Sequence, residues 1–179
     1  MEQIFTAFWR MLSLQQRCLM QVLIMRHGDA IANITSSDDT ERSLSDRGRN
    51  ESRLMACWLS GQVAKIEQVL VSPYLRARQT LDCLQKNLVL PDKHEVLLEL
   101  MPAGNAKLVC YYLQALANKG LNQVLVVSHL PVVGYLVADL CHKQPPMFAT
   151  ASVACVYLDA FSGNGQLCWQ VGPQLLSQV

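Results

Sequence analysis

A chain of 179 residues with 15 lysines and arginines against 14 aspartates and glutamates, a formal net charge of +1, is too evenly charged for an electrostatic grip on nucleic acid. At 51% apolar and 16% charged residues it has ample apolar surface to bury, which excludes intrinsic disorder, and its length suits one domain with a real core. Cys18, Cys57, Cys83, Cys110, Cys141, Cys155 and Cys168 are odd in number, widely spread and without a Cys-x-x-Cys pair; they read as small core side chains in a reducing, cytoplasmic compartment.

The opening MEQIFTAFWRMLSLQQRCL has an acidic residue where a signal peptide needs basic ones, and Arg10 breaks its apolar run, so neither export nor a membrane span is indicated. Residues 1–19 are expected to be an extension outside the fold, and 20–179 the folded domain. QVLIM (Gln21 to Met25), QVLVSP (Gln68 to Pro73) and QVLVVSH (Gln123 to His129) are short, branched and apolar throughout, as parallel strands covered on both faces are. A helix is expected over Ser45 to Ser60. In the next, Ala77, Thr80, Leu81, Leu84 and Leu88 form one buried stripe that leaves Arg78 to solvent. After Gly104 and Asn105, Val109, Tyr112, Leu113 and Leu116 repeat the pattern, with Gly120 as the stop. Another helix follows Pro131. SVACVYLD and QLCWQV, joined by the turn-rich FSGNG, read as an antiparallel pair. The order predicts a three-layer α/β/α fold around a mostly parallel sheet.

Polar residues concentrate just beyond the strands. Arg26-His27-Gly28 follows the first, Ser72-Pro73 and Arg76 the second, and Ser128-His129 a third, where open α/β sheets bind their ligands. Two arginines and two histidines suit a multiply charged anion, since a guanidinium offers forked donors to phosphate oxygens; a phosphoryl group is the expected ligand. Gly28 is expected to let the backbone approach it closely. Arg42, Arg47, Arg49 and Arg53 form either a solvated helix face or a rim that guides an acidic partner. His94 and His142 have polar, turn-like surroundings that suggest surface residues, and Cys141-His142 lacks the further ligands of a zinc site.

These motifs resemble the histidine phosphatase, or phosphoglycerate mutase-like, superfamily, whose hallmark is Arg-His-Gly at the end of the first strand. LSDRGRNES, VSPYLRARQT and VLVVSHLPVVGYL are similar to three further family segments, and the short chain is most like the bacterial phosphohistidine phosphatases. The resemblance implies that His27 is the nucleophile, passing through a phosphohistidine that water hydrolyses. Arg26, Arg76 and His129 would clamp the phosphoryl oxygens with no metal or other cofactor, His129 as a cation or at least a donor. Asn33 matches an asparagine that helps hold phosphate in mutase relatives. Glu99 is the candidate general acid, with Asp29 its rival.

Residues 77–128, 52 of them, separate Arg76 from His129, and one strand and one helix account for most, leaving little for a lid. An open pocket suits phosphohistidine carried on a protein, and the resemblance implies the phosphotransfer domain of a hybrid sensor kinase such as ArcB. The alternatives are a small-molecule phosphomonoesterase and a non-catalytic phosphohistidine reader. A monomer is expected, with neither nucleic acid nor membrane as partner.

Overall fold

The structure, a computed structural model, describes residues 19–32, 38–63 and 65–176. Of the expected extension, all but Leu19 lies outside the described residues; Leu19 opens strand β1 (Leu19–Arg26) and pairs with Asp159. Five more strands complete one sheet: β2 (Gln68–Val71), β3 (Glu95–Val96), β4 (Gln123–Ser128), β5 (Val153–Asp159) and β6 (Gly165–Val171), in the order β3-β2-β4-β1-β5-β6. β3, β2, β4 and β1 run parallel, whereas β5 is antiparallel to β1 and β6 to β5. The expected late pair is therefore present, and the sheet is mixed but mostly parallel.

Period-two alternation along the central strands builds two cores. Val22, Ile24, Val124 and Val126 face one side, against α3 (Ala106–Asn118) and α4 (Val132–Cys141). Leu23, Met25, Leu125 and Val127 face the other, against α1 (Asp46–Ser60) and α2 (Leu75–Leu84). Because both faces are covered, these strands read as unbroken apolar runs instead of alternating ones. A short terminal helix, α5, spans Pro173–Leu176.

The helix boundaries follow local chemistry. Ser45 caps α1 by accepting from the Gly48 N–H, and Asn105 caps α3 by accepting from the Leu108 N–H; losing either cap costs about 1 kcal/mol. Gly120, at φ +85°, takes the left-handed conformation that ends α3. The stripe on α2 holds, with Ala77, Thr80, Leu81 and Leu84 buried and Arg78 exposed. Cys83, Cys141 and Cys155 are buried, but Cys57 and Cys168 are exposed, so the expected core role fits only part of the set; Cys18 lies outside the described residues.

Strand direction places the chemistry. The register pairs Arg26 with Ser128 and Val71 with Val127, so the segments that follow β1, β2 and β4 leave the sheet at the same edge.

Candidate active site

The turn after β1 is tied down on three sides. The His27 N–H donates to the Ser128 carbonyl at 2.9 Å, the Ala151 N–H donates to the His27 carbonyl at 3.0 Å, and the Gly28 N–H donates to Thr80 Oγ1 at 3.1 Å. Gly28 is required here by packing: a Cβ would lie 2.5 Å from the Gly48 carbonyl oxygen and 2.7 Å from Ser52 Oγ. Its N–H is spent on Thr80 and Gly28 does not line the cleft, so close approach to helix α1, not to a ligand, accounts for the glycine.

The cleft has a volume of about 350 Å³ and is lined by Arg26, His27, Arg76 and His129, together with Asp29, Asp39, Arg42, Pro102 and Thr150. Four predicted residues from three strand ends thus meet in one place. The ring centroids of His27 and His129 are 4.9 Å apart. The Arg76 guanidinium lies 4.8 Å from the Tyr74 ring centre, a cation–π contact.

His27 has one possible tautomer when neutral. Its Nδ1 is 2.6 Å from the Gly28 carbonyl oxygen, an acceptor only, so Nδ1 carries the hydrogen and Nε2 keeps its lone pair. Arg76 Nε donates to that Nε2 at 3.3 Å. Burial pushes the His27 pKa down to about 4, against the opposing pull of the Gly28 hydrogen bond and with help from the charges of Arg76 and Arg26. The ring is therefore neutral and nucleophilic near pH 7.

His129 is 1% exposed. Burial, then the neighbouring His27 and the cleft arginines, pushes its pKa down to about 2. In the unliganded cleft His129 is therefore a neutral ring, which suits the donor form of the expectation; a phosphoryl dianion beside it would push its pKa back up. Arg26 donates from NH1 to the Phe148 carbonyl at 2.7 Å. Its Nε and the Nδ1 of His129 are buried polar atoms with no hydrogen-bond partner among the described residues. Unpaired buried nitrogens of this kind are costly unless a ligand uses them.

Asp39 is a cleft residue that sequence reasoning missed. Arg76 donates from NH1 to the Asp39 carbonyl at 2.7 Å and from NH2 to its Oδ2 at 3.0 Å, while Arg42 Nε donates to Oδ1 at 2.9 Å. Burial works to raise the Asp39 carboxyl, but Arg76 and then Arg42 hold it below its ordinary value. Asp29 lines the cleft and accepts from Ser45 Oγ at 2.6 Å. Glu99 is not among the cleft residues; it lies in the Leu98–Leu100 turn and lines a separate depression with Leu97, Leu108, Val109 and Tyr112. Asn33 lies outside the described residues.

The four arginines expected as a set are divided. Arg42 is in the cleft, Arg47 pairs with Glu51 at 2.8 Å, Arg49 is half-buried on α1, and Arg53 donates to Asn50. His94 and His142 hydrogen-bond Gln85 and Asn164 on the surface. No group of three or more His, Cys, Asp or Glu among the described residues is placed to hold a metal ion, and no described helix is long and apolar enough to cross a membrane.

Comparison with known proteins gives the same picture. Residues 22–104 match the family model of the histidine phosphatase superfamily, branch 1. The phosphohistidine phosphatase SixA of Escherichia coli K12 is 57% identical over 155 residues, covering 86% of this chain and 94% of that protein. A SixA homolog of Haemophilus influenzae is 35% identical over 148 residues, covering 78% and 89%. The structure of the protein histidine phosphatase SixA complexed with tungstate aligns with a TM-score of 0.84 at 56% identity, covering 88% of this chain and 99% of that one.

Proposed function

We propose that this chain, which belongs to the histidine phosphatase superfamily, is a protein phosphohistidine phosphatase acting on the histidine phosphotransfer domain of a hybrid sensor kinase of the ArcB kind. The observation that carries the reading is the neutral His27 in a cleft shared with Arg26, Arg76 and His129, its Nε2 lone pair held by Arg76 Nε until a phosphoryl group draws that guanidinium to its own oxygens. Nε2 attacks phosphorus as the bond from phosphorus to the substrate nitrogen breaks, giving a phosphohistidine on His27. Water then attacks that phosphorus, releasing phosphate and restoring the neutral ring. Arg26 and Arg76 neutralise charge on the transferring oxygens, and positioning of this kind carries most phosphoryl-transfer catalysis.

The leaving group is selected by what the cleft does not offer. Asp39 is held ionised by two arginines, Asp29 accepts from Ser45, and Glu99 lines a different depression. An alkoxide leaving from a phosphomonoester needs an acid at the breaking bond. A substrate imidazole whose other nitrogen is protonated leaves as a neutral ring and needs none. The names carried by the SixA relatives, and the tetrahedral oxyanion bound by one of them, support the same reading. So does the modest cleft, which leaves a protein-borne phosphoryl group accessible.

A substrate panel tests it. kcat/KM for a phosphorylated histidine phosphotransfer domain should exceed that for phosphoserine peptides and sugar phosphates by at least about a hundredfold, or roughly 2.7 kcal/mol of transition-state discrimination. Comparable rates across the panel would favour the small-molecule phosphomonoesterase instead, and no turnover of any substrate would favour the phosphohistidine reader.

A further inference from the structure

The hydroxyl of Ser72 sits 2.7 Å from Nε2 of His129, and both residues are buried, at 0% and 1% exposure. Ser72 Oγ also accepts, at 3.4 Å, from the N–H of Tyr74. We propose that Ser72 is a positioning residue that fixes His129 in its Nδ1–H tautomer, so that a buried N–H is presented to the phosphoryl group transferring at His27. The proposal deepens the phosphatase reading above and rests on it for the identity of the ligand.

A neutral imidazole carries one hydrogen, and the bond made by one ring nitrogen decides where it sits. If Nε2 carried it, Ser72 Oγ would accept from both Nε2 and the Tyr74 N–H, and neither of these partners could accept its own hydrogen. In a fully buried hydroxyl that arrangement is costly. Nδ1 would meanwhile turn a lone pair toward incoming anionic oxygens. If Nδ1 carries the hydrogen, Ser72 donates to Nε2 and accepts from Tyr74, satisfying both of its roles. The single group then left over is Nδ1–H, the atom that is buried and unpartnered. A phosphoryl oxygen supplies the missing acceptor.

The arrangement suits a pair of histidines 4.9 Å apart between two arginines. A further cation there would add repulsion in the unliganded state, whereas a neutral donor with a fixed hydrogen is ready without titrating. His27 is set from the opposite side: its Nδ1–H donates to an acceptor, the Gly28 carbonyl, where His129 Nε2 accepts from a donor. One ring is thereby made a nucleophile at Nε2 and the other a donor at Nδ1.

Long-range proton–nitrogen correlation spectra of the 15N-labelled full chain read the tautomer directly, with His129→Gln identifying the signals. The expected spectrum of the free protein shows His129 protonated at Nδ1 and bare at Nε2, and tungstate shifts the Nδ1–H resonance. Ser72→Ala should lose the single tautomer and lower kcat at least about tenfold, as wrong-tautomer variants of other histidine sites do, with Ser72→Thr retaining the tautomer. A wild-type His129 protonated at Nε2, or one doubly protonated at neutral pH, overturns the proposal even if no variant folds. Because the spectrum is taken without substrate, failure of the phosphohistidine reading in the substrate panel leaves this result standing, and the converse also holds.

Discussion

Replacing Asp39 by asparagine is expected to tighten the cleft's hold on inorganic phosphate about tenfold. The Asp39 carboxylate lies 3.0 Å from one nitrogen of Arg76 and 2.9 Å from Arg42, so a phosphate dianion must share Arg76 with a resident anion. A dianion and a unit negative charge about 5 Å apart repel by roughly 7 kcal/mol at an effective dielectric of about 20 and by under about 2 at that of water. The Asp39 side chain is 48% exposed, which brings in solvent screening and reduces the figure to about 1.4 kcal/mol, or tenfold. Asparagine removes the charge and keeps the backbone carbonyl that Arg76 NH1 also uses.

The assay is competitive inhibition by phosphate at low and high ionic strength, with Glu41→Gln as a control that removes a charge from the same turn. The asparagine variant should show the lower inhibition constant, the control should match the parent, and added salt should narrow the gap. An inhibition constant that rises in the asparagine variant would show that the carboxylate's main effect is to hold Arg76 in place, and would refute the competition argument.

His27→Ala should abolish turnover, and rapid-quench labelling of the parent should place an acid-labile, base-stable phosphate on His27; label on Asp29 would contradict the mechanism. Arg76→Ala should lower kcat/KM by at least about two orders of magnitude while EDTA leaves the parent unchanged, and an activity regained only with added Mg²⁺ would argue otherwise. Acidification should destabilise the fold, because His27 and His129, with folded-state pKa values pushed down to about 4 and about 2, refuse protons that the unfolded chain takes up below about pH 6.5. Their contribution is complete above that pH and falls as the pH drops, by about 2 kcal/mol for each ring at about pH 5, or roughly ten degrees of melting temperature in all. A flat melting temperature between pH 7 and about pH 5, in a buffer without phosphate, would mean that the rings are not neutral in the fold.

Much of the architecture was legible because it rests on local pattern. Unbroken apolar runs at Gln21 to Met25 and Gln123 to Val127 report strands covered on both faces, and the observed sheet buries both faces. Strand β3, two residues long at Glu95–Val96, left no such signal. Two residues carry no periodicity, and this pairing depends on β2 supplying an edge, with Tyr112 and Gln68 holding the Glu95 carboxylate. Likewise Gly28 invited a ligand-contact reading, yet the atoms that exclude a Cβ belong to Gly48 and Ser52, twenty and twenty-four positions away.

In the cleft the same limit takes a chemical form. Arg26, His27, Arg76 and His129 could be named from the sequence because each follows a strand whose end is fixed by its own apolar run. Their charge states could not. Phosphate beside His129 would raise its pKa and favour the cation, which is the ground for expecting a charged clamp. Burial at 1% exposure beside His27 and the cleft arginines pulls the other way before a ligand arrives, and burial is a property of the assembled sheet edge. Asp39 escaped notice for a related reason: in the polar run SSDDTERS one aspartate looks like another. The chain path that carries its carbonyl and carboxylate together onto Arg76 singles it out. A cleft whose two histidines are neutral before a ligand arrives, and which keeps a carboxylate on one of its arginines, would hold phosphate less tightly than its basic residues alone suggest. For a phosphatase that is a functional gain, since an unopposed cationic pocket would bind substrate and product phosphate alike and slow release, whereas catalysis depends on what is gained at the transition state alone.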